Sequence, residues 1–191
     1  MVASVDNQAI TRSDVENAYE FELFLKGQSP GPSPDRATLD EVRDRLVDQM
    51  LLLDEAGTEG ITDGDLNDSS AGTLAGIRKK FQTESAFQAA LRSLGLDERK
   101  ARERLRDRRR ILTLIDNRLR PSARIELPDI ESYYKNTFVP EFAQRSKTPA
   151  PTLAEVEGQI REILTQKRID VLLSSWLEGL KRSHRVSVHP F

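Results

Sequence analysis

The chain has no cysteine, which excludes disulfides and thiolate metal sites. That absence suits an oxidising compartment, although many cytosolic chains share it. Histidine is nearly absent too: His184 and His189 are the only two, both near the C-terminal end. A lone histidine at a helix end reads as a structural or solvated group favoured by the C-terminal dipole. Gly-x-Ser-x-Gly, Gly-x-Gly-x-x-Gly and Walker loops are all missing. Carboxylates are plentiful, yet none sits in an apolar sequence context that would tune it for acid–base work. No enzyme activity, no metal and no cofactor are therefore expected. Asp63-Gly64-Asp65-Leu66-Asn67-Asp68 resembles the start of a calcium loop, but its sixth position is Asp68 and its twelfth is Leu74. It reads instead as a helix N-terminus.

Long apolar runs are also lacking. The longest stretch of large apolar residues is Met50-Leu51-Leu52-Leu53, far short of the roughly 20 that a membrane span needs. No signal peptide follows Met1, because a strand-like Val2-Ala3-Ser4-Val5 begins at once. This is the pattern expected of a mature chain whose leader has been removed.

What is present is charge and helical periodicity. Of 191 residues 31% are charged and 37% hydrophobic, a balance that suits amphipathic helices better than a compact α/β enzyme. The net charge of −2 hides an asymmetry: residues 1–70 carry 16 acids and 5 bases, residues 71–191 carry 15 acids and 24 bases. Opposite fields of this kind help two halves dock, or present a basic surface to a polyanion.

The longest periodic stretch runs from Thr152 to about Ser183. Leu153, Val156, Ile160, Ile163, Leu164, Ile169, Leu172, Leu173, Trp176, Leu177 and Leu180 recur in steps that keep one face apolar. Thr152 and Glu155 have the capping-box spacing. A stripe along roughly 45 Å of helix cannot be buried against itself, so the rest of the chain or a second chain must cover it.

The remaining chain reads as follows. Val2 to Ile10 predicts a short hairpin with a polar turn. Thr11 or Ser13 caps a first helix ending near Gly27, and a proline loop from Gln28 to Pro34 follows. Thr38 opens a second helix that becomes apolar nearly all round at Val47, Leu51 and Leu52, which predicts the centre of a core. Thr62 starts a third helix, with Asp63 and Asp65 in its first turn, and Ser85 a fourth. Asp97 caps a fifth, stopped by Pro121. Arg124 to Leu127 reads as a short extended piece, Pro128 opens another helix, and Pro140 to Pro151 reads as a connector. Arg185 to His189 alternates like a strand.

Between Arg99 and Arg110 lie eight bases against Glu103 and Asp107. Such a face can neutralise phosphates. However, Ala101, Leu105 and Leu112 give the run an apolar side, and no aromatic is interleaved for base stacking. It reads first as a solvated or acid-facing helix, with polyanion binding as the alternative.

The layout resembles the SurA-like extracytoplasmic chaperones, relatives of PpiD and PrsA. The opening Val-Ala-Ser-Val-Asp-Asn-Gln-Ala-Ile-Thr-Arg-Ser-Asp-Val is similar to that family's strand, turn and first helix. Leu46-Val47-Asp48-Gln49-Met50-Leu51-Leu52-Leu53-Asp54-Glu55-Ala56 resembles its second helix and is the most specific match. Ile130-Glu131-Ser132-Tyr133-Tyr134 follows the family's order, and the stretch from Leu153 through Trp176 to Val188 resembles its closing helix and strand.

The resemblance implies a mainly α multi-helix chaperone module whose long C-terminal helix returns to the N-terminal helices. A small antiparallel β element would pair the N- and C-terminal strands. The implied organisation is an N-terminal helical region over 1–139, a proline-rich connector over 140–151, and a helix and strand over 152–191 completing the same module. Family members usually carry one or two parvulin-type prolyl isomerase domains where residues 140–151 stand here, and no parvulin-like paired histidines occur. The implied function is a periplasmic, ATP-independent holdase for unfolded secreted or outer-membrane proteins, without isomerase activity.

Client binding needs exposed apolar side chains in a concave surface. The candidates are Phe81, Phe87, Tyr133, Tyr134, Phe138 and Phe142, with Trp176 assigned to the core. At helical spacing each is first read as core, and Phe138 and Phe142, beside the prolines, are the best placed for exposure. A structural or assembly protein that dimerises through a swapped C-terminal helix remains an alternative, so the chain is expected as a monomer or homodimer.

Overall fold

A computed structural model describes residues 1–28, 34–62 and 67–191. The expected proline loop lies mostly outside these residues, as does the acidic stretch with Asp63 and Asp65. Among the described residues the chain is mainly helical, with three short strands.

β1 (Ala3–Val5) and β2 (Gln8–Ile10) form the expected hairpin. Asp6 takes the turn position at φ +50°, a conformation in which Asp and Asn are tolerated better than most residues. β3 (Val186–Val188) pairs antiparallel with β1, aligning Ala3 with Val188 and Val5 with Val186. The sheet order is β2-β1-β3, so the N-terminal strand is central and the C-terminal strand lies at its edge. The predicted pairing of the two chain ends is what the structure contains.

α1 (Arg12–Leu25) begins at Thr11, whose hydroxyl accepts from the Asp14 N–H while Asp14 accepts from the Thr11 N–H, a reciprocal capping box. It ends before Gly27, at φ +76°. α2 (Arg36–Thr58) starts earlier than expected, because Asp35 is the cap and Thr38 donates its N–H to that carboxylate at 2.8 Å. α4 (Glu84–Ser93) is likewise capped by Thr83 and not Ser85. α3 (Asn67–Arg78) precedes it. α5 (Glu98–Leu119) follows Asp97, which accepts from the Lys100 N–H as predicted. Hydrogen bonds to the carboxylate hold the pKa of Asp35 and of Asp97 below the ordinary 3.8.

Pro121 ends α5 in a 3₁₀ turn over Arg120–Ser122. The extended piece expected at Arg124 to Leu127 forms no strand, and Leu127 already opens α6 (Leu127–Tyr133). A π-helical turn over Tyr134–Phe138 carries the helix on into α7 (Val139–Arg145). Pro140 therefore does not begin the connector. Within an α-helix its ring would clash with the carbonyl four residues back; the wider turn sits just before it, with the Val139 N–H bonded to Tyr134 O, five residues back. The non-helical link is reduced to the residues between Arg145 and Leu153. α8 (Leu153–Ser183) matches the predicted long helix at both ends. Glu155 accepts from the Thr152 N–H at 2.7 Å and from its hydroxyl at 2.8 Å.

The described residues form two compact units: Met1–Leu114 with Leu177–Phe191, and Ile115–Trp176. In the first, Phe24, Leu74, Ile77, Phe87, Leu91 and Leu105 share one core. Phe24, Phe81 and Phe87 meet there with ring centroids 5.5–5.7 Å apart. Each such pair contributes about 0.5–1.5 kcal/mol beyond its buried area. The end of α8 joins this unit through buried Leu180 and the Lys181–Asp48 ion pair at 2.6 Å.

The second unit buries the earlier part of the α8 stripe. Ile130, Val156 and Ile160 form one cluster, and Leu119, Ala123 and Ile169 another, with Trp176 packed beside it. The stripe is therefore covered by its own chain at these positions. No described helix is long and apolar enough to cross a membrane.

Candidate functional site

An open groove of about 780 Å³ lies between α1, α2 and α5 in the first unit. Apolar character comes from Phe21 and Leu25 on α1, Leu46 and Leu53 on α2, and Ile111 and Leu112 on α5. All are half-buried except Leu112, which is 51% exposed. Its origin lies in α2, whose apolar residues exceed what one core face can take. Val42, Val47, Leu51, Leu52 and Ala56 are buried, while Leu46 and Leu53 are left over on the groove side. The all-round apolar pattern that predicted a core centre is thus divided between a core and an open surface.

Charge rims the groove. The Arg45 guanidinium donates to both Glu22 carboxylate oxygens at 3.1 Å, joining α2 to α1. The Arg104 guanidinium lies 5.2 Å from the centre of the Phe21 ring, within cation–π range. Partial burial lowers the Arg104 pKa and the field of Asp14 opposes that shift. Arginine remains protonated in any case. The arrangement offers apolar contact and hydrogen-bond donors.

The aromatic residues singled out in the sequence do not converge on this groove. Phe87 is 0% exposed and belongs to the core of the first unit. Phe81 is half-buried against the same core. Tyr133, Tyr134, Phe138 and Phe142 all lie in the second unit and are half-buried. Three of them form a ladder: Tyr134 and Phe138 stack at 5.9 Å, Phe138 and Phe142 at 6.0 Å. The Tyr134 hydroxyl donates to Pro151 O at 2.9 Å, and the Lys167 ammonium lies 4.8 Å from the Tyr133 ring centre. Phe21, the aromatic that does line the groove, carries no sequence signal that separates it from its buried neighbour Phe24.

A family model, the SurA-like N-terminal domain, matches residues 1–114. The chain belongs to the SurA-like family. No curated protein and no solved structure matches it. Every residue lining the groove falls inside the matched SurA-like domain.

The basic run of the SurA-like domain lies on α5, and some of its bases are ion-paired. Arg99 pairs with Glu103, Arg102 with Glu98 at 4.0 Å and Arg110 with Asp107 at 3.7 Å. Arg110 also donates to Ile61 O at 3.1 Å. Among the described residues, no group of three or more His, Asp or Glu side chains is arranged to hold a metal ion.

Proposed function

We propose that this protein is an ATP-independent, holdase-type chaperone of the periplasm. It acts without cofactor or prolyl isomerase chemistry and binds unfolded secreted or outer-membrane polypeptides. One observation carries the reading: the part of the chain that belongs to the SurA-like family holds an open apolar groove bordered by charge. Such a surface suits weak, sequence-tolerant capture of an apolar segment. The half-buried residues Phe81, Tyr133, Tyr134, Phe138 and Phe142 are proposed as further contacts, and residues 140–151 as the place where relatives carry an isomerase domain. The pairing of Arg99, Arg102 and Arg110 with carboxylates favours this reading over polyanion binding.

The test is a titration with a fluorescent, unfolded β-barrel peptide at low and moderate salt, with a DNA oligomer alongside. The expected result is peptide affinity on the order of micromolar, about −8 kcal/mol, that survives moderate salt. Absence of peptide binding at a peptide concentration on the order of tens of micromolar overturns the proposal. DNA binding that salt abolishes would transfer the function to α5.

A further inference from the structure

The charges around the α1–α2–α5 groove are not equivalent, because its acids are engaged and several of its bases are not. Asp14 accepts from the Thr11 N–H and hydroxyl at 2.8 and 2.7 Å. Glu22 is held by Arg45 on both oxygens, and Asp107 pairs with Arg110. By contrast, Lys26 and Arg108 are exposed at the groove and form no ion pair among the described residues. Arg104 lies against the Phe21 ring and within the field of Asp14, and forms no ion pair among the described residues. Ligand-seeking charge at this site is positive.

The dimensions limit what can enter. The lining residues of α1 run from Asp14 to Leu25 and those of α2 from Val42 to Leu53. Each stretch spans roughly 16 Å of helix at 1.5 Å per residue. An extended strand covers that length with about five residues at roughly 3.3 Å each.

Resting on the chaperone reading above, we infer that this groove takes an extended apolar polypeptide segment flanked by Asp or Glu. Leu46, Leu53, Ile111 and Leu112 receive the apolar side chains, and Lys26, Arg104 and Arg108 receive the flanking carboxylates. The same apolar segment flanked by lysine meets a rim on which Lys26, Arg45, Arg104 and Arg108 outnumber Asp14, Glu22 and Asp107. The site selects client segments by the sign of their flanks as well as by hydrophobicity.

Two synthetic peptides with one apolar core, flanked by either Glu or Lys, test this by fluorescence anisotropy on the full chain. The Glu-flanked peptide is expected to bind about three- to tenfold tighter at low salt, the margin of a few partly exposed ion pairs. That margin should narrow as salt rises. The double variant Lys26→Glu with Arg108→Glu, both at exposed positions, should reverse the preference, and a melting curve confirms that it folds. Leu112→Asp should weaken both peptides. Equal binding of the two peptides, or a preference that survives charge reversal, overturns the groove assignment and leaves the chaperone reading standing. Failure of both peptides and of the unfolded β-barrel peptide removes both readings together.

Discussion

His184 Nδ1 lies 2.8 Å from the carboxylate of Asp6, a contact that joins the first turn of the chain to the end of α8 across 178 positions of sequence. The other Asp6 oxygen accepts from the Arg185 N–H at 2.9 Å, and Asp6 returns its own N–H to Arg185 O at 2.9 Å. One turn residue therefore closes β1 onto the segment that becomes β3.

This contact makes stability depend on pH. The hydrogen bond with Asp6 raises the His184 pKa above its ordinary 6.5, helped by the charges of Asp6, Asp54 and Glu55 and opposed by burial. The same bond lowers the Asp6 pKa below 3.8. Histidine's contribution is complete below about 6.5 and is lost as pH rises through its raised value. Asp6's contribution is present above its ordinary value and is lost as pH falls through the lowered one. Melting temperature should fall from pH 6 to pH 8.5, and His184→Ala should flatten that slope. Asp6→Asn, which retains tolerance of positive φ, should do the same. An unchanged slope in both variants would show that the pair does not couple to folding.

Gly27→Ala should destabilise the first unit. Gly27 sits at φ +76°, where an L-residue costs about 1–2 kcal/mol, and an added Cβ would lie 2.5 Å from the Lys80 Cβ. Overpacking adds about 1–3 kcal/mol. Urea unfolding of the variant should give a lower midpoint with an unchanged m-value.

Arg43→Met should cost about 2 kcal/mol, the scale of a hydrogen bond to a charged group. This side chain is only 8% exposed. It pairs with Asp40 and Asp44, donates to His189 O at 3.1 Å, and lies 5.8 Å from the Phe191 ring centre. Faster amide exchange in β3 should accompany the loss, because the contact to His189 O anchors the segment that follows that strand.

Phe87→Ala and Phe142→Ala should separate core from surface. Removing the fully buried Phe87 side chain should cost about 3–5 kcal/mol, with peptide affinity of the folded fraction retained. Phe142→Ala removes a half-buried ring at the end of the aromatic ladder, so about 1 kcal/mol or less is expected. If the ladder contacts clients, peptide affinity falls in that variant while the melting temperature barely moves.

Much of the fold was legible because its signals are local. The α8 stripe, the Thr11 and Asp97 caps, and the alternation in Val186-Ser187-Val188 each lie within a few residues of what they specify. At Asp35 and Thr38 two acceptable caps compete, and the structure resolves them through the N–H that Thr38 donates. Pro140 misled because proline normally breaks an α-helix, whereas the π-helical turn before it carries the helix on. The groove was hidden for a different reason. Its walls come from two consecutive helices and a third, α5, far along the sequence, and the surplus apolar residues Leu46 and Leu53 look like core until the helices around them are placed.

The central position of β1 sets an order of assembly. β3 lies more than 180 residues after β1, so a chain that folds from its N-terminal side waits for all of α8 before β1 gains its second partner. Throughout that interval one side of β1 has unpaired amides and carbonyls, the exposed edge from which strands mispair between chains. A nascent chain stalled before α8 ends would carry the hairpin, α1 and α2 with that edge uncovered. Truncation within the last ten residues should therefore reduce recovered soluble protein by more than the few side chains removed would account for.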